Sequence, residues 1–225
     1  TMGNRKSISR IGIAMSGGGI RAAAFHAGVL KWMAEEGLLE KVEHVSTVSG
    51  GSLFAGLVFQ SVACRWPSSR QYLEEVFPSI RTLLTSKCLQ KHFLCRLILN
   101  PCNWRFALSR ANVLASGIEH FWEVTSLITD LPKRPVWSIN ATTAENGRRF
   151  RFKNGVIGDY EIGYADAEPL KLSEAMSVSA AFPGLIGPFM MNTGQFQWRK
   201  REKWDSSMPE MTIPAAYRKI HLYDG

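Results

Sequence analysis

The sequence predicts an α/β fold built on parallel strands, and three observations carry that expectation. A short apolar run, Ile11–Met15, passes through a glycine-rich turn into the helix-compatible stretch Ala22–Glu36. A second run, Val45–Val48, passes through Ser49-Gly50-Gly51 into the apolar stretch Leu53–Val62. Strand, helix, strand and helix therefore follow one another within about 50 residues, a spacing that implies parallel strands joined by a right-handed crossover.

Taken in order, Ile11–Met15 is apolar without a break and reads as a buried strand. In Ala22–Glu36, Phe25, Val29, Trp32 and Met33 fall on one stripe, the apolar face of an amphipathic helix, and Gly37 stops it. Val45–Val48 reads as the second strand and Leu53–Val62 as a buried helix. Arg65–Lys133 is rich in Leu, Trp, Phe, Lys and Arg without clear alternation, and reads as helical segments and loops inserted between core strands. Pro135–Thr143 returns to strand character. Asn146-Gly147 signals a hairpin turn, with the alternating "RRFRFKN" behind it. Leu172–Ala181 reads as a helix ended by Pro183, Met190–Pro214 as a polar excursion with little pattern, and Arg218–Tyr223 as a last strand.

A chain of 225 residues is long enough for one α/β domain with a substantial core, and 45% apolar with 20% charged residues is ordinary for a globular protein. No apolar run approaches the roughly 20 residues that span a bilayer, and the first ten residues contain no signal-peptide core, so 1–10 read as a tag and disordered N-terminus. The net charge of +8 favours an acidic partner such as anionic lipid or nucleic acid. Nucleic acid is disfavoured because Trp and Phe are scattered rather than interleaved with a basic stripe. Cys88, Cys95 and Cys102 recur every seven residues, but Pro101 should break a helix there, so these thiols and Cys64 read as reduced and buried, with no metal site. Reduced thiols favour a cytosolic site of synthesis.

Gly17-Gly18-Gly19 can be read in three ways. Gly17, Gly19 and Ala22 satisfy the dinucleotide pattern G-x-G-x-x-G/A, but the acid required at the end of the next strand is absent, with Glu43 at the wrong end. A phosphate-binding P-loop would need a closing Lys-Ser/Thr, which is also absent. An oxyanion hole needs free N–H groups at a helix N-terminus, which Gly18, Gly19 and Ile20 would supply, and a nucleophile nearby. Ser49 is that nucleophile. It stands at a strand-to-helix turn with Gly50 and Gly51 behind it, whereas Ser46 and Ser52 lack that setting. The structural alternative for Ser49 is a plain helix N-cap.

A serine needs a base. No histidine follows Asp224, and His221, three residues before it, should face the other side of its strand. His26 reads as a packed helix residue, and His44, His92 and His120 have no partner pattern. A carboxylate acting directly remains, and Asp224 stands just past an apolar strand, where partial burial would raise its pKa.

These residues, together with "SVSAAFPGLIGPF" (Ser177–Phe189) and "INATTAENGRRFRF" (Ile139–Phe152), make the chain resemble the patatin-like phospholipases. "SGGGIR" (Ser16–Arg21) resembles that family's oxyanion loop, "VSGGS" (Val48–Ser52) its nucleophile elbow and "YDG" (Tyr223–Gly225) the start of its Asp-Gly motif. The resemblance implies a three-layer fold: a central, mostly parallel sheet with helices on both faces and a helical insertion. It implies a Ser49–Asp224 dyad without histidine or cofactor, an oxyanion hole from Gly17, Gly18, Gly19 and Gly50, and Arg21 as a brace for the loop. The implied activity is hydrolysis of phospholipid acyl esters; a neutral-lipid esterase and a catalytically silent lipid-binding scaffold are the alternatives. Two departures stand out: Thr47 replaces the first glycine of G-x-S-x-G, and Ser16 stands where an acid often opens the loop. In the family the sheet usually continues past the Asp-Gly motif. The catalytic domain, 11–225, is therefore expected to be incomplete at its C-terminus, with a further segment or second chain completing it. Residues 65–133 are the expected lid and membrane-facing surface, because Leu83–Leu99 mixes Lys87, Lys91 and Arg96 with Leu, Phe and Ile. A helix packed on the core with a solvated basic edge is the alternative. The expected location is cytoplasmic or at a membrane surface, where anionic lipid would be the partner.

Overall fold

The computed structural model describes residues 9–86, 110–183, 186–200 and 211–225. The chain opens with β1 (Ile11–Met15), α1 (Gly19–Glu35), β2 (Val42–Thr47) and α2 (Gly50–Ser61). Both helices begin three residues earlier than their apolar pattern, because the glycines ahead of that pattern already belong to the first turn. α3 (Ser69–Gln71) runs through a π turn into α4 (Phe77–Ser86), and α5 (Arg110–Phe121) follows. Then come β3 (Val136–Thr143), β4 (Arg149–Lys153), β5 (Val156–Asp159), β6 (Gly163–Asp166) and α6 (Leu172–Ser179). β7 (Phe189–Asn192), β8 (Trp198–Lys200), β9 (Met211–Ile213) and β10 (Lys219–Asp224) are the remaining described strands.

β1, β2 and β3 are parallel neighbours, as the crossover pattern requires. Every other pairing among the described residues is antiparallel, so the sheet is mixed and its parallel part is confined to these three strands. The edge of β3 is shared. β2 pairs with Val136–Ile139, whereas β10 pairs antiparallel with 141–143. On the opposite edge β4 already occupies 138–142. β10 therefore runs toward the end of β2, and the two C-termini meet.

Alternation along the strands separates two faces. Val45, Thr47, Trp137, Ile139, Ala141, Phe150 and Phe152 are buried; His44, Ser46, Ser138, Asn140, Thr142, Arg149, Arg151 and Lys153 are exposed or half-buried. α2 and α6 cover the first face, with α1 beside α2 and α5 beside α6. The fold is α/β, and α1, α2, α5 and α6 pack against one another along this side of the sheet. α2 is apolar on all sides and buried throughout Gly50–Phe59, where Phe59 stacks on Trp137 with centroids 4.8 Å apart.

Three expectations need correction. The buried face of α1 is Ala22, Ala23, His26, Ala27, Leu30, Met33 and Ala34, while Phe25 (67%) and Trp32 (57%) are exposed. Small side chains let α1 approach α2 closely, so the alanines rather than the aromatics face inward. Met190–Pro214 is no featureless excursion: it contains β8, β9 and a buried Trp198 whose Nε1 donates to the Thr193 carbonyl at 3.0 Å. These strands are too short to produce a readable alternation. α5, within the segment read as an insertion, buries Val113, Leu114 and Ile118 beside α6 and so belongs to the helical layer. Most of the amphipathic stretch Leu83–Leu99 lies outside the described residues, as do Cys88, Cys95 and Cys102; Cys64 is buried. No helix among the described residues is long and apolar enough to cross a membrane.

Candidate active site

The turn from β2 into α2 holds Ser49 at φ 53°, ψ −123°, a backbone state that costs roughly 1–3 kcal/mol for a non-glycine residue. Four hydrogen bonds maintain it. Its N–H donates to Ser179 O (2.9 Å) and Ser179 Oγ (3.1 Å), and its carbonyl accepts from the N–H groups of Ser52 (2.9 Å) and Leu53 (3.1 Å). The Ser49 hydroxyl makes no cap bond to α2, so the N-cap alternative fails and the hydroxyl is left for other work.

The glycine loop closes against this turn. A methyl group added at Gly17 would sit 3.0 Å from Ser49 Cβ and 3.6 Å from its Oγ. One added at Gly50 would sit 2.1 Å from the Gly19 carbonyl oxygen, so these two backbones touch only because residue 50 is glycine. Gly18 turns the chain at φ 133° as the first residue ahead of α1, and no side chain caps this terminus. The first N–H groups of α1 and α2 have no intrahelical acceptor. Gly19 and Gly50 stand in those first turns, side by side next to Ser49.

The brace of the loop differs from the expected one. Arg21 is exposed and makes no hydrogen bond or ion pair among the described residues. His26, one turn further on, is buried and its Nε2 lies 3.1 Å from the Ser16 carbonyl oxygen. A carbonyl only accepts, so Nε2 carries the proton. No partner for His26 is readable from sequence, because the bond spans ten residues and ends on backbone. His26→Phe removes the donor at similar bulk. It is expected to lower turnover about tenfold or more, since small displacements of catalytic groups have such effects, and to cost about 1 kcal/mol of stability. Initial rates and thermal melts of the variant beside the parent check this.

Asp224 arrives from β10, opposite Ala141. Ile220 and Leu222 on that strand are buried, and Asp224 alternates with them onto the same face; His221 falls on the other. His221 is engaged by Glu145, with Nδ1 to Oε1 at 2.8 Å. The Asp224 carboxylate lies within electrostatic reach of the Ser49 side chain, and its Oδ1 is buried without a partner among the described residues. Burial pushes the Asp224 carboxyl above the ordinary aspartate value, and the Ser49 side chain and the Gly225 backbone pull it back only in part. Among the described residues no histidine bonds to either side chain. Glu43 pairs with Arg10 and Arg134 at the start of β2, far from where a nucleotide ribose would need it.

The model of the patatin-like phospholipase family matches residues 13–208. The chain belongs to that family. Solved structures of similar fold include human GIVD cytosolic phospholipase A2, with TM-score 0.59 and 13% identity over 95% of this chain and 39% of that one. The same enzyme in complex with methyl gamma-linolenyl fluorophosphonate and terbium chloride matches with TM-score 0.55 and 15% identity, over 77% of this chain and 30% of that one. The chain therefore spans less than half the length of these phospholipases. No curated protein sequence matches it significantly. The patatin-like assignment covers β1 to β8 and so includes the glycine loop and the Ser49 turn; Asp224 lies beyond the matched range.

Proposed function

We propose that the chain carries the catalytic centre of a lipid acyl hydrolase of phospholipase A or lysophospholipase type. The observation that carries this reading is the Asp224 carboxylate brought within electrostatic reach of the Ser49 hydroxyl, beside uncapped glycine amides. Asp224 accepts the Ser49 proton as Oγ attacks the ester carbonyl carbon. The oxyanion that forms is held by N–H groups of Gly17, Gly18, Gly19 and Gly50, each such donor being worth about 10²–10³ in rate. The tetrahedral intermediate collapses, the leaving alcohol takes the proton from Asp224, and the acyl group stays on Ser49. Water then attacks the acyl-serine, giving its proton to Asp224, and the fatty acid leaves as the proton returns to Ser49. No cofactor enters these steps. Arg21, exposed beside the loop, is free to meet a lipid phosphate, and the net charge of +8 suits an anionic bilayer surface.

The test is to incubate the full protein with an alkyl fluorophosphonate, map the adduct, and measure fatty-acid release from phosphatidylcholine vesicles containing anionic lipid. An adduct on Ser49 with fatty-acid release is the expected result. An adduct with hydrolysis of simple esters only would reassign it as a general carboxylesterase. No adduct would leave a silent lipid-binding scaffold.

A further inference from the structure

Beneath Ser49 lies a chain of buried polar side chains that the proposed chemistry does not use. Trp137 Nε1 is 2.9 Å from Thr47 Oγ1, Thr47 Oγ1 is 2.7 Å from Ser52 Oγ, and Ser52 Oγ is 2.7 Å from Ser179 Oγ. Ser179 Oγ is in turn 2.7 Å from the Asn140 carbonyl oxygen. All four side chains are at most 3% exposed.

The direction of every bond follows from the proton count. An indole N–H only donates and a carbonyl only accepts, while each hydroxyl has one proton. Ser179 must give its proton to Asn140, so Ser52 donates to Ser179. Ser52 has then no proton left, so Thr47 donates to Ser52 while accepting from Trp137. One arrangement satisfies the whole chain, and it leaves Ser179 Oγ accepting from Ser52 and from the Ser49 N–H at 3.1 Å.

Ser179 ends α6, and both halves of the dyad hang on its terminus. Ser179 O takes the Ser49 N–H at 2.9 Å, and Ala181 O takes the Asp224 N–H at 3.1 Å. The Ser179 hydroxyl also grips Asn140, whose neighbour Ala141 is the residue that pairs with Asp224. Two residues of this terminus, Ser179 and Ala181, thus accept the backbone amides of nucleophile and base. Carbonyls that a helix end leaves without partners are used as the jig.

We propose that Ser179, oriented by Thr47 and Ser52, is a positioning residue that sets the reach between the Ser49 hydroxyl and the Asp224 carboxylate. This rests on the reading of those two groups as the dyad. It also gives Thr47 a function where the family's elbow pattern has glycine: its hydroxyl relays the Trp137 N–H to the far end of the chain.

The experiment measures fluorophosphonate labelling of Ser49, both rate and final stoichiometry, with kcat and KM for vesicle phospholipid, in the full protein. An unreactive parent overturns the dyad reading and with it this proposal, before any variant is compared. With a reactive parent, Ser179→Ala should label to completion but about tenfold or more slowly, with kcat lowered alike and KM unchanged. Damage to the fold would instead lower the stoichiometry. Labelling and turnover at the parent's rate overturn the proposal. If Ser179→Ala does not fold, the Thr47 pair decides: Thr47→Val should be slow and Thr47→Ser should match the parent. Equal rates for these two variants, fast or slow, overturn the proposal.

Discussion

Ser49→Ala is expected to remove fatty-acid release by a factor on the order of 10⁶, the scale on which loss of a nucleophile acts, while the melting temperature stays that of the parent. The substitution deletes only Oγ, and that atom makes no bond that holds the fold. The Ser49 N–H keeps its two acceptors on Ser179, and its carbonyl keeps the Ser52 and Leu53 donors. Alanine at φ 53° bears the same backbone strain as serine, so folding is not further penalised. Fatty-acid release from vesicles and a thermal melt together check the outcome; undiminished release would sink the mechanism.

Asp224→Asn is expected to lower turnover by on the order of 10⁴ or more and, at neutral pH, to raise the melting temperature. The loss of rate follows because an amide cannot take the Ser49 proton. The gain in stability follows from linkage. Burial lifts the folded-state pKa of Asp224 above the ordinary 3.8, so between those two values the folded chain binds more protons than the unfolded one. Stability then falls as pH rises through that window, and the ionised carboxylate is a cost above it. The asparagine variant escapes that cost at neutral pH and gains nothing below the ordinary value, where parent Asp224 is protonated folded or unfolded. Melts at neutral and acid pH separate the two regimes. In the parent, activity should fall on acidification through the lifted pKa, at higher pH than an ordinary aspartate would give.

The two halves of the candidate site were unequally legible in the chain. Ser49 stands out locally: an apolar run, a serine and two glycines state a sharp turn, and three glycines one strand earlier state bare amides. Asp224 was reachable only by elimination and resemblance, because what brings it to Ser49 is the shared edge of β3, a register between distant segments. The same limit hid His26 and Ser179, whose partners are backbone atoms of other elements. The inward face of α1 escapes the sequence pattern for a different reason. Periodicity weighs a ring above a methyl group, whereas close packing of α1 on α2 favours the methyl groups of Ala23 and Ala27. The expected turn at Asn146-Gly147 lies between β3 and β4, since its residues carry their own geometry.

The outward placement of Trp32 has an optical consequence. Its indole is 57% exposed, whereas those of Trp122, Trp137 and Trp198 are at most 3% exposed. Trp32 should therefore emit to the red and yield to an aqueous quencher such as iodide, while the enclosed indoles emit to the blue and resist it. The part of the quenchable emission that Trp32→Phe removes reports whatever comes to rest on the flank of α1, and the emission of the enclosed indoles reports melting of the interior, two gauges read from one unlabelled sample.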